Sequence, residues 1–366
     1  MTSKLERLYN EFGQSVWLDF ISRDIMASGR FQELLNLGLR GVTSNPSIFN
    51  KAISGSALYD EDIRRLAREG ADAFAIYDAI SQADITAACD ALLPLYEASS
   101  RGDGYVSIEV NPDLAYDTAG TVAEAKRLWA SIDRPNLMVK VPATREGIPA
   151  IRELIAAGVN VNATLMFSLA HYEAVVYAYI EGLEARAANR EDLSHVASVA
   201  SFFVSRIDTA VDKALAAAGK VDLQGKIAVA NAKLAYDRFK TVFGDARWQA
   251  LADQGAQLQR PLWASTSTKN PAYSDVLYVE NLIGPHTVNT IPLKTIEALL
   301  DHGRLAHTVD VGVDEARAQI ARLAELGVDF DQITEDLQTA GVQAFANDFH
   351  KLLDAIAQRA GVIAHA

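Results

Sequence analysis

Leu137-Met-Val-Lys-Val-Pro142, then a helical stretch Thr144–Ala157 that stops at Gly158, then Val159-Asn-Val-Asn-Ala-Thr-Leu-Met166: these thirty residues decide the fold. Both flanking runs are nearly continuous in apolar character, as in parallel strands covered on both faces. Gly158 suits the left-handed position just past a helix end. The unit therefore reads as strand, helix, strand.

The same rhythm extends in both directions. Val16–Ser22, Gly41–Asn45 and Tyr105–Val110 precede the unit, and Val196–Val204, Pro261–Ser267 and His286–Pro292 follow it. Between them, Arg23–Leu37 reads as a helix ending at Gly38, and Asp117–Ile132 as one opened by a Thr121-Val-Ala-Glu124 capping box. Ser168–Ala188 opens on a serine N-cap. Eight strands alternating with helices through right-handed crossovers predict an α/β fold, a closed (β/α)8 barrel. An open doubly wound sheet would instead carry a glycine-rich phosphate turn after its first strand.

The connections Pro46–Gly104 and Ser205–Arg260 are long enough for extra helices. After residue 293 the chain reads as a helical tail, with apolar spacing over Asp314–Leu326 and Phe330–Gln358. No Pro/Ser-rich linker interrupts the chain, so residues 1–366 are expected to form one elaborated barrel domain. The formal net charge of −13 argues against a nucleic-acid or anionic-membrane surface. One cysteine, Cys89, excludes a disulfide framework, and its helical setting marks it as a small buried apolar residue. Neither a leader segment nor an apolar span of membrane length is visible, so a cytoplasmic protein is expected. Nucleotide-binding glycine motifs and HExxH are missing, and His171, His195, His286 and His302 are scattered, so neither a nucleotide cofactor nor a metal is expected.

Polar residues inside apolar strands carry the functional signal, because desolvating an ion costs several kcal/mol unless it is paired. Lys140 stands within its strand near the end where barrel active sites are built. A lysine in apolar surroundings yields the neutral amine more readily and can add to a carbonyl as a Schiff-base nucleophile. It can also be one half of a structural ion pair, and the residue alone does not choose. Asn160, Asn162 and Thr164 share one face of the next strand and suggest a polar pocket. Asp19 and Glu109 are carboxylates in apolar strands, suited to proton transfer or to neutralising an interior cation. Asn45-Pro46 ends the second strand. Arg206 stands where the sixth strand becomes a helix, and Ser265, Ser267 and Lys269 leave the seventh. Barrels often bind phosphate after strands seven and eight.

Taken together, Trp17-Leu-Asp-Phe-Ile-Ser-Arg23, Gly41-Val-Thr-Ser-Asn-Pro-Ser-Ile48, Val106-Ser-Ile-Glu-Val110, Val139-Lys-Val-Pro142, Gly158-Val-Asn-Val-Asn-Ala-Thr-Leu165 and Ser201-Phe-Phe-Val-Ser-Arg206 resemble the transaldolase family, in its longer bacterial and plant-type branch. The motifs run in the family's order across about residues 15–300. The resemblance implies a cofactor-free transferase of the pentose phosphate pathway. Such enzymes move a dihydroxyacetone unit from sedoheptulose 7-phosphate or fructose 6-phosphate to an aldose phosphate, erythrose 4-phosphate or glyceraldehyde 3-phosphate. Position by position, it implies Lys140 as the Schiff-base lysine and Asp19 as the acid/base at the C4 hydroxyl. Glu109 and Thr164 match the pair that holds a catalytic water. Asn45, Asn162 and Ser201 match residues holding the dihydroxyacetone hydroxyls, and Arg206 a phosphate-binding arginine.

Lys269 departs from shorter members of the family, which have an arginine there; a point charge in place of a bidentate donor changes the phosphate geometry implied at Lys269 and Ser267. A related lyase that releases free dihydroxyacetone is the nearest alternative; glutamate at 109 and phenylalanine at 203 favour transfer. A non-catalytic sugar-phosphate-binding barrel is the other alternative, and it would have lost several of Asp19, Glu109, Lys140 and Thr164. Monomer and homodimer both stay open, as does the role of the helical tail.

Overall fold

The computed structural model describes residues 2–364, with side chains to residue 361. Eight parallel strands close in chain order: β1 (Gln14–Leu18), β2 (Gly41–Thr43), β3 (Tyr105–Glu109), β4 (Leu137–Pro142), β5 (Val161–Met166), β6 (Ser198–Phe203), β7 (Arg260–Ala264) and β8 (Thr287–Ile291). β8 pairs back onto β1 and completes the (β/α)8 barrel. Nearly every strand residue is buried, because side chains of one face fill the barrel while the other face packs under helices. This is why the strands carry continuous apolar runs.

The long connections hold added helices, Pro46–Gly55, Asp60–Arg68 and Ala73–Ala98 in the first, Ser205–Ala217, Ile227–Val242 and Ala246–Ala252 in the second. Buried Cys89 lies in the Ala73–Ala98 helix. Gly158 has φ +82° and ends the Gly147–Ala156 helix as its sequence position suggests. The tail forms helices Leu293–His302, Val313–Glu325 and Phe330–Ala364. No helix among the described residues is long and apolar enough to cross a membrane.

Three local readings need correction. Arg23–Leu37 is two helices, Arg23–Ala27 and Arg30–Asn36, because Gly29 takes φ +79° and breaks the turn. The helix Thr118–Ile132 is capped by Asp117, whose carboxylate accepts from the Gly120 amide at 3.0 Å. Thr121 lies inside the first turn, donating to the Leu114 carbonyl, and Glu124 pairs with Arg127, so no capping box forms. Asn160 stands before β5, where its amide donates to the Pro135 and Leu137 carbonyls and its oxygen accepts from the Ala197 amide. It ties strands together at the barrel's lower end and does not reach the upper pocket.

That lower end is held by a buried carboxylate. Asp103 accepts from Ser15 Oγ (2.5 Å), Trp17 Nε1 (3.1 Å), Arg40 Nε (2.7 Å) and an Arg260 terminal nitrogen (3.1 Å). Burial alone pushes its carboxyl up, yet Arg260 and Arg40 outweigh burial and hold it below the usual carboxylate range. A depressed folded pKa gives stability that is present above the unfolded value and lost as pH falls through the folded one. Asp103→Ala leaves two partly buried guanidinium groups uncompensated and should cost about 3–5 kcal/mol in urea melts at neutral pH. The gap should narrow as the parent is acidified. An unchanged melt would show the cluster to be incidental.

Candidate active site

The upper ends of the strands enclose a cavity of about 520 Å³, lined by residues from β2, β4, β5, β6, β7 and β8, the segments following β1, β2, β6, β7 and β8, and the tail. Its floor follows from strand register. Glu109 on β3 pairs with Lys140 on β4, which pairs with Asn162 on β5, so three polar side chains occupy one layer of the barrel interior. Lys140 Nζ donates to Glu109 Oε2 (3.1 Å) and to the Ser44 carbonyl (3.0 Å), with both side chains almost wholly buried. Burial raises the Glu109 carboxyl above its ordinary range despite the opposing charge of Lys140. Its Oε1 and the hydroxyl of Thr164 are both buried without a protein partner.

Asp19 stands just past β1 and lines the cavity beside Lys140. Its Oδ1 accepts from Thr43 Oγ1 (2.9 Å), which is itself 2.6 Å from Thr290 Oγ1. Burial pushes the Asp19 carboxyl up, more than Lys140 and Thr43 pull it down. Asn45 caps the Pro46–Gly55 helix, accepting from the Ile48 amide at 2.9 Å through Oδ1, and lines the cavity. Asn162 stands behind the wall: it donates to Ser107 Oγ (3.0 Å) and accepts from Ser201 Oγ (2.6 Å), and Ser201 is the member of that pair that faces the cavity.

Arg206 enters from the first turn of the Ser205–Ala217 helix and lines the cavity with Lys51, Ser265, Ser267 and Lys269. Lys269 Nζ donates to Ser267 Oγ at 2.8 Å. Ser265 turns the chain out of β7 with φ +56°, and its hydroxyl lies 2.8 Å from that of Ser205, joining the two segments that carry the cations. Burial lowers the pKa of Arg206, and burial with the neighbouring Arg206 lowers that of Lys269. Lys51, Arg206 and Lys269 have no carboxylate within ion-pair distance among the described residues, an arrangement suited to an anion arriving from solvent. In a chain of net charge −13, Lys51, Lys140, Arg206 and Lys269 against Asp19 and Glu109 make this cavity a local cationic focus.

Asp19, Asn45, Lys140, Thr164, Ser201, Arg206, Ser267 and Lys269 thus converge on one cavity, with Glu109 and Asn162 one contact behind it. Sequence reading passed over Thr43, Ser44, Lys51, Ser107, Thr290 and Phe345. Alternation marks Ser107 and Glu109 as sharing a face of β3, a signal that was available. Nothing local marks Phe345, which resembles any other apolar residue of a helix stripe.

The transaldolase/fructose-6-phosphate aldolase family model matches residues 16–356. A protein of Thiobacillus denitrificans named Transaldolase is 51% identical, over 94% of this chain and 97% of its own length. One of Parafrankia sp. with the same name is 50% identical, over 95% and 96%. Transaldolase 2 of Nostoc sp. is 46% identical, over 94% and 95%. With eight parallel strands around a lysine-centred cavity and a match across nearly its full length, the chain belongs to the transaldolase/fructose-6-phosphate aldolase family.

Proposed function

We propose that the chain is a transaldolase that moves a dihydroxyacetone unit from a ketose phosphate, such as sedoheptulose 7-phosphate or fructose 6-phosphate, to an aldose phosphate. The observation that carries this reading is the buried Lys140–Glu109 pair on the floor of a cavity whose wall presents Asp19 and whose rim presents Arg206 and Lys269. Family membership and the names of the relatives support the same reading.

Glu109, its carboxyl raised by burial, is in hydrogen-bond reach to take a proton from Lys140 Nζ. The free amine adds to the donor's C2 carbonyl and forms a carbinolamine. Glu109 Oε1 and Thr164 Oγ1 are suited to hold the water through which protons move as the hydroxyl leaves and the iminium forms. Asp19 takes the C4 hydroxyl proton, the C3–C4 bond breaks, and its electron pair runs into the iminium to give an enamine on Lys140. The aldehyde half departs. Asn45 and Ser201, the latter oriented by Asn162, hold the hydroxyls of the bound three-carbon unit. An acceptor aldehyde then reverses the sequence, its phosphate gripped by Arg206, Ser267 and Lys269. No cofactor takes part, and on this reading the enzyme works in the cytoplasm within the non-oxidative pentose phosphate pathway.

The direct test is borohydride reduction in the presence of fructose 6-phosphate, followed by peptide mass analysis. A three-carbon adduct on the peptide containing Lys140 is the expected result. An unmodified Lys140 after full reduction would overturn the reading. Product analysis with and without an acceptor aldehyde separates transfer from simple release.

A further inference from the structure

The Phe330–Ala364 helix is a working wall of the cavity rather than an appendage. Val342, Phe345, Ala346, Phe349, Leu352 and Ile356 form its buried stripe at helical spacing, and of these Phe345 lines the cavity. The Phe345 ring centroid lies 5.7 Å from Lys140 Nζ and 5.9 Å from the Arg206 guanidinium carbon. Phe203 also borders Arg206, at 5.1 Å, but is not within cation–π distance of Lys140. Phe345 is therefore the ring that spans the distance from the covalent end of the cavity to its anion-binding end.

The helix is set at this distance by specific contacts. Gln338 Nε2 donates to the carbonyls of Ala143 (2.9 Å) and Leu165 (3.1 Å), just past β4 and at the upper end of β5. Leu165 takes φ +62° where β5 shifts register against β6, a strained conformation for a leucine. Gly341 lets the helix come close: a Cβ there would lie 2.9 Å from a Leu165 methyl and 3.4 Å from Arg206. Ser47, itself a cavity residue, bonds to Asp348, and His350 pairs with Asp113 at 2.9 Å. Further along, Arg359 pairs with Asp60 at 2.6 Å.

We propose that Phe345, held by Gln338, determines whether the three-carbon unit on Lys140 is transferred or released, by keeping bulk water, as distinct from the single molecule suited to Glu109 and Thr164, from protonating the enamine carbon until an acceptor aldehyde arrives. This rests on the Schiff-base reading above. Release requires the enamine carbon to take a proton, water to add to the resulting iminium at C2, and the C–N bond to break. Enamine and water thereby become dihydroxyacetone and the free amine. On one side of Lys140 Nζ stand Glu109 and the Ser44 carbonyl, and an apolar ring nearby is the group able to deny water access without offering a proton.

The test compares the parent, Phe345→Ala, Phe345→Leu and Gln338→Ala as full-length proteins. For each, dihydroxyacetone release from fructose 6-phosphate without acceptor is measured beside transfer to erythrose 4-phosphate. Phe345→Ala should raise the release-to-transfer ratio at least about five-fold, with the borohydride adduct at Lys140 still forming. Phe345→Leu, which keeps apolar bulk, should return most of the way to the parent ratio. Gln338→Ala, which frees the helix but keeps the ring, should shift the ratio in the same direction by less. Release and transfer falling together in Phe345→Ala or Gln338→Ala, or a ratio unchanged in both, would overturn the proposal. Should Phe345→Ala fail to fold, Gln338→Ala decides it by the same ratio. A parent chain that gives no adduct would bring down the functional reading, and this inference with it.

Discussion

Replacing Lys140 with methionine should lower turnover of ketose phosphates by roughly four orders of magnitude or more, since the variant loses the covalent route and keeps only binding. Methionine matches the length and apolar stem of the lysine, so the packing around β4 is retained. What changes is Glu109, which loses its cation partner in a buried site. Its carboxyl is already pushed up by burial, and losing Lys140, which pulls it down, should raise it further, so that proton uptake rather than unfolding relieves the unpaired charge. The variant should therefore keep a cooperative melt and bind fructose 6-phosphate while giving no borohydride adduct. Turnover within ten-fold of the parent by a folded variant would remove the amine from the mechanism.

Asp19→Asn should lower kcat by roughly 10²–10⁴-fold with little change in KM, because the amide keeps the shape and the Thr43 contact but cannot accept the C4 proton. The pH profile distinguishes this from a structural effect. Asp19 must be ionised to act as base, and burial lifts its pKa, so the acid limb of the parent kcat profile should lie above the ordinary carboxylate range, with activity rising as pH rises through it. The variant should lack that limb. Stability runs the other way. A carboxyl whose folded pKa is raised gives stability below its unfolded pKa that is lost as pH rises through the folded value. Asp19→Asn should therefore be at least as stable as the parent at neutral pH. Lost activity accompanied by a lower melting temperature would instead make Asp19 a structural residue.

Particular residues show where the sequence was legible. The strands could be read because neighbours such as Met138 and Val139, which point to opposite faces of a parallel sheet, are both buried, which writes burial directly into composition. Against that background Lys140 and Glu109 stand out, since an ion has no reason to occupy such a run without a partner or a task. Asn160 shows where alternation failed: β5 begins at Val161, so the asparagine one residue earlier satisfies backbone groups at the lower end instead. Thr121 and Glu124 have capping-box spacing, yet Asp117 stands four residues earlier and captures the amide first. Phe345 was invisible for a different reason. Its function depends on a distance of 5.7 Å to a residue some two hundred positions away, and only tertiary structure sets it.

The placement of Phe345 near the end of the chain has a consequence for biosynthesis. Translation proceeds at about 5–20 residues per second, so Ile291, the last residue of β8, leaves the ribosome several seconds before Phe345 does. A nascent polypeptide can thus close its cylinder of strands while the chamber above it still lacks a side. A premature stop between these two points would remove Phe345 together with Phe349, Leu352 and Ile356, and so strip the chamber of the wall that the Phe330–Ala364 helix supplies.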